Sequence, residues 1–150
     1  PRMRAVSGRP QRKNFDFYEQ FTVHESSLSP SVYSTVAADL GDEDKAVELY
    51  QRSARLDLDN YNNDTDDGLH ITSMTGAWLD IVQGFAGMRI RDGRLHYAPF
   101  LPKNWTAYRF NQVFRGRTIQ VRVDADGTHS QLLSGEPLKV ELGDQLTELK

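Results

Sequence analysis

The chain contains no cysteine, so neither a disulfide nor a thiolate metal site can form. It also lacks any apolar run long enough to cross a bilayer, and it shows no secretory signal. Net charge is −3 over 150 residues, which gives no general drive toward nucleic acid. A reducing compartment, and hence the cytoplasm, fits the missing cysteine. No Gly-x-Ser-x-Gly elbow and no phosphate-binding Gly-rich loop occur. The four histidines, His24, His70, His96 and His129, do not show zinc-ligand spacing.

What is present is enough for a packed core. Hydrophobic residues make up 38% and aromatics 10%, the balance of a water-facing globular protein of one domain or two small pieces. The first residue is Pro1, so the native N-terminus is expected upstream. Residues 1–13 carry Arg2, Arg4, Arg9, Arg12 and Lys13 without an acid. They read as a basic, poorly ordered or added segment, with a phosphate-binding arm as the other possibility.

The pattern changes near Gly93. Before it, apolar residues recur at helical spacing; after it, they alternate. Asn14–Phe21 is a short aromatic piece. Ser29 reads as an N-cap followed by Pro30, with Val32, Val36, Ala37 and Leu40 on one face and Gly41 as the stop. Asp42 caps the next helix, whose buried face is Ala46, Leu49, Tyr50 and Ala54. A third helix is predicted over about Leu69 to Gln83, with the stripe Ile71, Met74, Trp78, Ile81, Val82 and Phe85. Gly76 inside it implies close packing, because glycine weakens a helix by about 1 kcal/mol. The second half reads as antiparallel β: Tyr108–Phe114, a turn at Arg115-Gly116, Ile119–Val123, a hairpin signal at Asp126-Gly127, and Leu138–Leu142. Three helices supply too few partners for Trp78 and for the cluster Phe15, Phe17, Tyr18 and Phe21, so part of the helical layer is expected to lie outside this chain.

Two segments carry candidate chemistry: Thr22-Val-His-Glu-Ser-Ser-Leu-Ser-Pro30 and Asn60-Tyr-Asn-Asn-Asp-Thr-Asp-Asp-Gly-Leu-His70-Ile-Thr-Ser-Met74. Each ends where a helix should begin. A helix start presents free N–H groups and the positive end of the dipole, which suits an anion. Serine hydroxyls at one start and a histidine in the first turn of the other would together hold a phosphate. The same pattern also fits two ordinary N-caps. Asp57, Asp59, Asp64, Asp66 and Asp67 invite a calcium site, but the closing glutamate of such a loop is missing, and Asx-turns that order the loop are the plainer role. Glu25 next to His24 is a loop anchor or an acid/base group. Trp105 is a packing residue or a sugar platform.

These residues also carry a resemblance. Asn14-Phe-Asp-Phe-Tyr-Glu, the two segments just quoted, Phe100-Leu-Pro-Lys-Asn-Trp105 and Phe114-Arg-Gly-Arg117 resemble the C-terminal part of the disaccharide phosphorylases of glycoside hydrolase family sixty-five. The match covers about Arg12 to Val123. It implies an α+β fold: the last helices of an (α/α)6 barrel over 14–90, then a C-terminal antiparallel β-sheet or sandwich domain over 91–150. It implies inverting phosphorolysis, in which an acidic residue protonates the glycosidic oxygen and inorganic phosphate attacks the anomeric carbon. No cofactor is implied, since phosphate enters as a substrate.

By position, Ser26, Ser27 and His70 match the family's phosphate-contacting serine pair and histidine. Tyr61–Asp67 is similar to the maltose-acting members, which turn maltose and phosphate into β-glucose 1-phosphate and glucose. The family's general-acid glutamate lies in a segment with no counterpart here. The chain alone is therefore expected to hold half a phosphate site and to be inactive. The implied partners are an α-glucosyl disaccharide, phosphate, the remainder of the barrel and, as in many members, a second copy. An inverting α-glucoside hydrolase with Glu25 as base, and a non-catalytic carbohydrate-binding or interaction fragment, are the rival functions.

Overall fold

The computed structural model describes residues 8–150, and the basic residues Arg2 and Arg4 lie outside them. The chain divides into two compact units, one ending at Gly84 and the other running from Phe85 to Lys150.

The first unit is helical. Helix α1 (Gly8–Glu19) precedes α2 (Ser29–Leu40), α3 (Glu43–Ala54) and α4 (Ile71–Leu79). A single 3₁₀ turn, Thr65–Asp67, lies in the polar loop before α4, and a π-helical turn, Asp80–Phe85, continues from it. Residues Gly8–Lys13 therefore belong to a helix, where the sequence suggested poor order. Arg12 accounts for the difference. Its guanidinium donates to the Leu40 carbonyl at 3.1 Å and to Asp42 at 3.3 Å, which fastens α1 to the end of α2 and satisfies an orphan carbonyl there. Phe15 is buried against Tyr33, with ring centroids 5.6 Å apart.

Capping follows the sequence at three of four expected positions. Gly41 ends α2 at φ 83° with its N–H bonded to Ala37 and Ala38 carbonyls. Asp42 caps α3, accepting from the Lys45 N–H at 3.3 Å. Pro30 occupies the first turn of α2. The exception is Ser29, which is the first residue of α2 rather than its cap; Leu28 stands at the cap with no side-chain bond. The Ser29 hydroxyl is 3.1 Å from the His24 ring and is used there instead.

The helices meet through small residues. Serines, alanines and a glycine, with Pro30 and Leu49, are the buried residues of these helices: Pro30, Ser31, Ser34, Ala37 and Ala38 from α2, Ala46, Leu49 and Ser53 from α3, Ser73 and Gly76 from α4. The hydroxyls are satisfied between the helices. Ser34 donates to the Ala46 carbonyl at 2.7 Å, and Ser73 to the Ser53 carbonyl at 2.7 Å. Two expected faces are corrected by this packing. Ile71, Met74 and Trp78 are exposed, at 65, 47 and 47%, and so are Val32 and Val36. The apolar stripe that the 3.6 period marks on α4 is not the stripe its neighbours cover, because those neighbours approach on the Ser73–Gly76 side. Val82 and Phe85 are buried as the stripe required. Phe17, Tyr18 and Phe21 stay exposed.

Asp80 is fully buried at the start of the π turn. Its Oδ1 accepts from Thr35 at 3.3 Å, and Oδ2 has no partner among the described residues. Desolvation pushes its pKa up to about 8, so the carboxyl is held protonated in the folded state.

The second unit contains seven strands: β1 (Arg89–Arg91), β2 (Arg94–Tyr97), β3 (Ala107–Phe114), β4 (Arg117–Asp124), β5 (Gly127–Ser134), β6 (Leu138–Leu142) and β7 (Gln145–Leu149). One sheet has the order β1-β2-β6-β7, the other is the meander β3-β4-β5. Pairing is antiparallel except for β2 with β6, which run parallel, a departure from the all-antiparallel expectation. A parallel pair needs a long crossover, and the whole β3-β4-β5 meander supplies it. Register in the meander sets Tyr108 against Val123, Phe110 against Val121 and Gln112 against Ile119, which puts the alternating apolar positions on one face. Leu95, Tyr97 and Val140 fill the other sheet's inner face. Trp105 is a packing residue, edge-on to Phe85 at 5.6 Å and to Tyr108 at 6.1 Å.

Two outcomes follow for stability. A Cβ on Gly76 would stand 2.5 Å from Ser31 Oγ and 2.7 Å from Ser31 Cβ. Gly76→Ala is therefore expected to destabilise by about 1–3 kcal/mol despite alanine's better helix propensity, read as a lower urea midpoint. Asp80 binds its proton more tightly folded than unfolded. Its contribution is complete below the ordinary aspartate range and is lost as pH rises toward about 8. Urea midpoints should fall across that window, and Asp80→Asn should flatten the fall.

Candidate anion site at two helix starts

The loop that leads into α2 is rigidly held. His24 adopts φ 55°, an unusual conformation for a non-glycine residue, and is buried. Its ring lies edge-on to Tyr33, 5.0 Å away, with Nδ1 at 3.1 Å from Ser29 Oγ. Burial first, and the neighbouring Arg52 charge second, push its pKa down, which keeps the imidazole neutral. Arg52 also donates to the His24 carbonyl at 3.0 Å. These bonds present the next residues, Glu25, Ser26 and Ser27, at the approach to α2. Ser26 is exposed and its hydroxyl accepts from the Leu28 N–H at 3.3 Å. Ser27 is half-buried. The Glu25 side chain is exposed. No side chain caps α2.

The second loop is ordered by Asx-type bonds, as the Asn/Asp density suggested. Asn60 Oδ1 accepts from the N–H groups of Asp64 and Thr65 at 3.1 and 3.2 Å. Asn60 and Asn63 take positive φ, and Gly68 turns the chain at φ 138°. Among the described residues no three His, Asp or Glu side chains converge on a metal position. His70 stands at the N-cap of α4, one place before the first turn anticipated for it, and no side chain caps that helix either.

His70 is gripped by Asp57. The ring Nδ1 is 2.6 Å from Asp57 Oδ1, and the His70 backbone N–H donates to Asp57 Oδ2 at 2.8 Å. The ring's other nitrogen, Nε2, is 3.4 Å from Asp64 Oδ2. The hydrogen bond to Asp57, with the charges of Asp64 and Asp57, raises the pKa of His70, while the bond to the His70 ring lowers that of Asp57. His70 is thereby biased toward the cation, in contrast to neutral His24. Asp57 is grouped by sequence only with the loop aspartates, and its bond to His70 is the link that patterning missed. Asp57 sits thirteen positions before His70, across an irregular loop, where no local spacing rule links the two.

The two loops are joined. Asn62 donates from Nδ2 to the Glu25 carbonyl at 3.1 Å, one residue from Ser26. Beneath them, α2 and α4 touch through Ser31 and Gly76.

Residues 4–79 match the model of the glycosyl hydrolase family 65 central catalytic domain, and residues 88–149 match that of the family's C-terminal domain. The chain belongs to glycosyl hydrolase family 65. It is 60% identical over 132 residues to maltose phosphorylase of Bacillus subtilis (strain 168), covering 88% of this chain and 17% of that protein. It is 49% identical over 131 residues to α,α-trehalose phosphorylase of Geobacillus stearothermophilus, covering 87% and 17%. A solved structure from the human microbiome, named for kojibiose phosphorylase, superposes with TM-score 0.88 at 38% identity, covering 96% of this chain and 21% of that one. The chain thus spans about a sixth of the curated relatives it matches, and it contains the end of the catalytic domain followed by the C-terminal domain.

Proposed function

We propose that this chain is the C-terminal part of an inverting disaccharide phosphorylase acting on maltose and inorganic phosphate, and that it contributes the phosphate side of the active site through Ser26, Ser27 and His70. The observation that carries this reading is the pairing of two helix starts without side-chain caps, one preceded by two serine hydroxyls and the other headed by a histidine biased toward the cation. An anion placed there receives N–H groups, hydroxyls and a positive imidazolium together. The greater identity to a maltose phosphorylase than to the trehalose-acting relative supports maltose as the disaccharide.

The chemistry asked of these residues is limited. In an inverting hydrolase a carboxylate activates water on the face opposite the leaving group. Phosphate arrives already anionic and nucleophilic, so its site needs no base, only donors that fix one oxygen in line with the anomeric carbon. The general acid that protonates the leaving oxygen would come from the part of the catalytic domain that precedes this chain in the relatives. The exposed apolar residues Ile71, Met74 and Trp78 on α4, and Val32 and Val36 on α2, suit burial by further helices of that domain.

The test uses the longer protein that carries this chain. Maltose cleavage is expected to require phosphate and to yield β-glucose 1-phosphate. His70→Ala should lower kcat/KM for phosphate by about 10²-fold, and the double variant Ser26→Ala/Ser27→Ala should chiefly raise the phosphate KM, by about tenfold. Glucose release without phosphate would favour the hydrolase. Phosphate kinetics unchanged in both variants would remove these residues from the site.

A further inference from the structure

We propose that Asp57 is a positioning residue of the anion site, clamping the backbone and the ring of His70 so that Nε2 is the edge presented to phosphate. The inference rests on the phosphate reading of His70. Both carboxylate oxygens of Asp57 are committed to that one residue, at 2.6 Å to Nδ1 and 2.8 Å to the backbone N–H. This two-point grip leaves the ring no free rotation. It also decides the ring's proton inventory. With a carboxylate at Nδ1, that nitrogen carries a proton. A neutral ring would then offer phosphate an acceptor at Nε2, which repels it; a protonated ring offers a donor and a positive charge.

Asp57 and Asp64 are the charged groups that face the ring among the described residues, and both favour the protonated form. Their places differ. Asp57 sits behind the ring and is almost wholly covered, with 11% of its side chain exposed. Asp64 is more open, at 37%, and stands 3.4 Å from Nε2, where an arriving anion would replace it. The replacement exchanges one anionic partner of Nε2–H for another, while Asp57 keeps its place and keeps the ring charged.

The experiment measures kcat and phosphate KM in the full-length protein from about pH 5.5 to about pH 9 for the wild type, Asp57→Asn, His70→Ala and the double variant. Ratios between variants cancel the titration of phosphate itself. Asn at 57 keeps an acceptor for the backbone N–H but loses the charge. The KM ratio of Asp57→Asn to wild type is expected to stay within about twofold at the acid end and to rise to about tenfold between pH 7 and 8, with kcat at saturating phosphate changed less than about threefold. In the His70→Ala background Asp57→Asn should add nothing.

A KM ratio independent of pH, or an equal effect of Asp57→Asn without His70, would reduce Asp57 to a structural loop anchor and overturn the proposal. Should Asp57→Asn fail to fold, the KM ratio of His70→Ala to wild type decides. It must stay high well above the ordinary histidine pKa of about 6.5, and a ratio that collapses near that pH overturns the proposal. If His70→Ala leaves phosphate KM unchanged at every pH, the phosphate reading itself fails, and that result is distinct from the two above.

Discussion

Ser31, Ser53, Ser73 and Gly76 let α2, α3 and α4 pack closely through small side chains, and the loops that lead into α2 and α4 are carried on that contact. A large side chain at any of these four positions would hold the helices apart. Small ones leave the hydroxyls and carbonyls within reach, and the serines satisfy one another across the contact: Ser73 bonds to the Ser53 carbonyl, and Ser53 to the Ser73 carbonyl and hydroxyl. A buried hydroxyl without a partner is costly, so these bonds work only at one separation.

On that base the two loops take opposite electrostatic characters. Before α2, burial and Arg52 keep His24 neutral, and its ring is spent on Ser29 and Tyr33. Before α4, the hydrogen bond to Asp57 and the charges of Asp64 and Asp57 raise the pKa of His70. The first histidine shapes a loop; the second stands at a helix start, biased toward the cation, where the dipole favours negative charge. One residue type serves both ends because its charge is decided by the neighbours. The helix ends reinforce the contrast. Asp42 caps α3 with its carboxylate, whereas α2 and α4 have no side-chain cap.

The C-terminal unit obeys simpler rules. Alternation on β3 and β4 places Tyr108, Phe110, Ile119, Val121 and Val123 inside and Arg109, Arg122 and Val113 outside. Turns fall where the chemistry asks for them: Arg115 and Gly116, and Asp92 and Gly93, take positive φ. The strands β1, β2 and β7 are short and were not marked by any clear alternation, and the parallel pairing of β2 with β6 is non-local. The short strands pair locally, β1 with β2 across Asp92-Gly93 and β6 with β7 across Gly143 and Asp144, and are too brief for a period to show; the parallel pairing comes from long-range hydrogen bonding that a window of ten residues does not contain.

The sequence by itself determined the change from helix to strand, the caps at Gly41 and Asp42, the inward face of β3 and β4, and the Asx-ordered loop before His70. Each of these is set by dihedral preferences or hydrogen bonds between residues close in the chain. Its quoted segments by themselves carry the resemblance to family sixty-five. Only the tertiary structure decided which face of α4 is covered, since periodicity marks an apolar stripe but not the neighbour that will reach it. Ile71, Met74 and Trp78 look like core in sequence and lie open, while Ser73, which looks incidental, carries the contact together with Gly76, whose place in a helix already implied close packing. The tertiary structure likewise brought Asp57 under His70 and joined Asn62 to Glu25, because both bonds cross loops whose path is set by packing and by no local pattern.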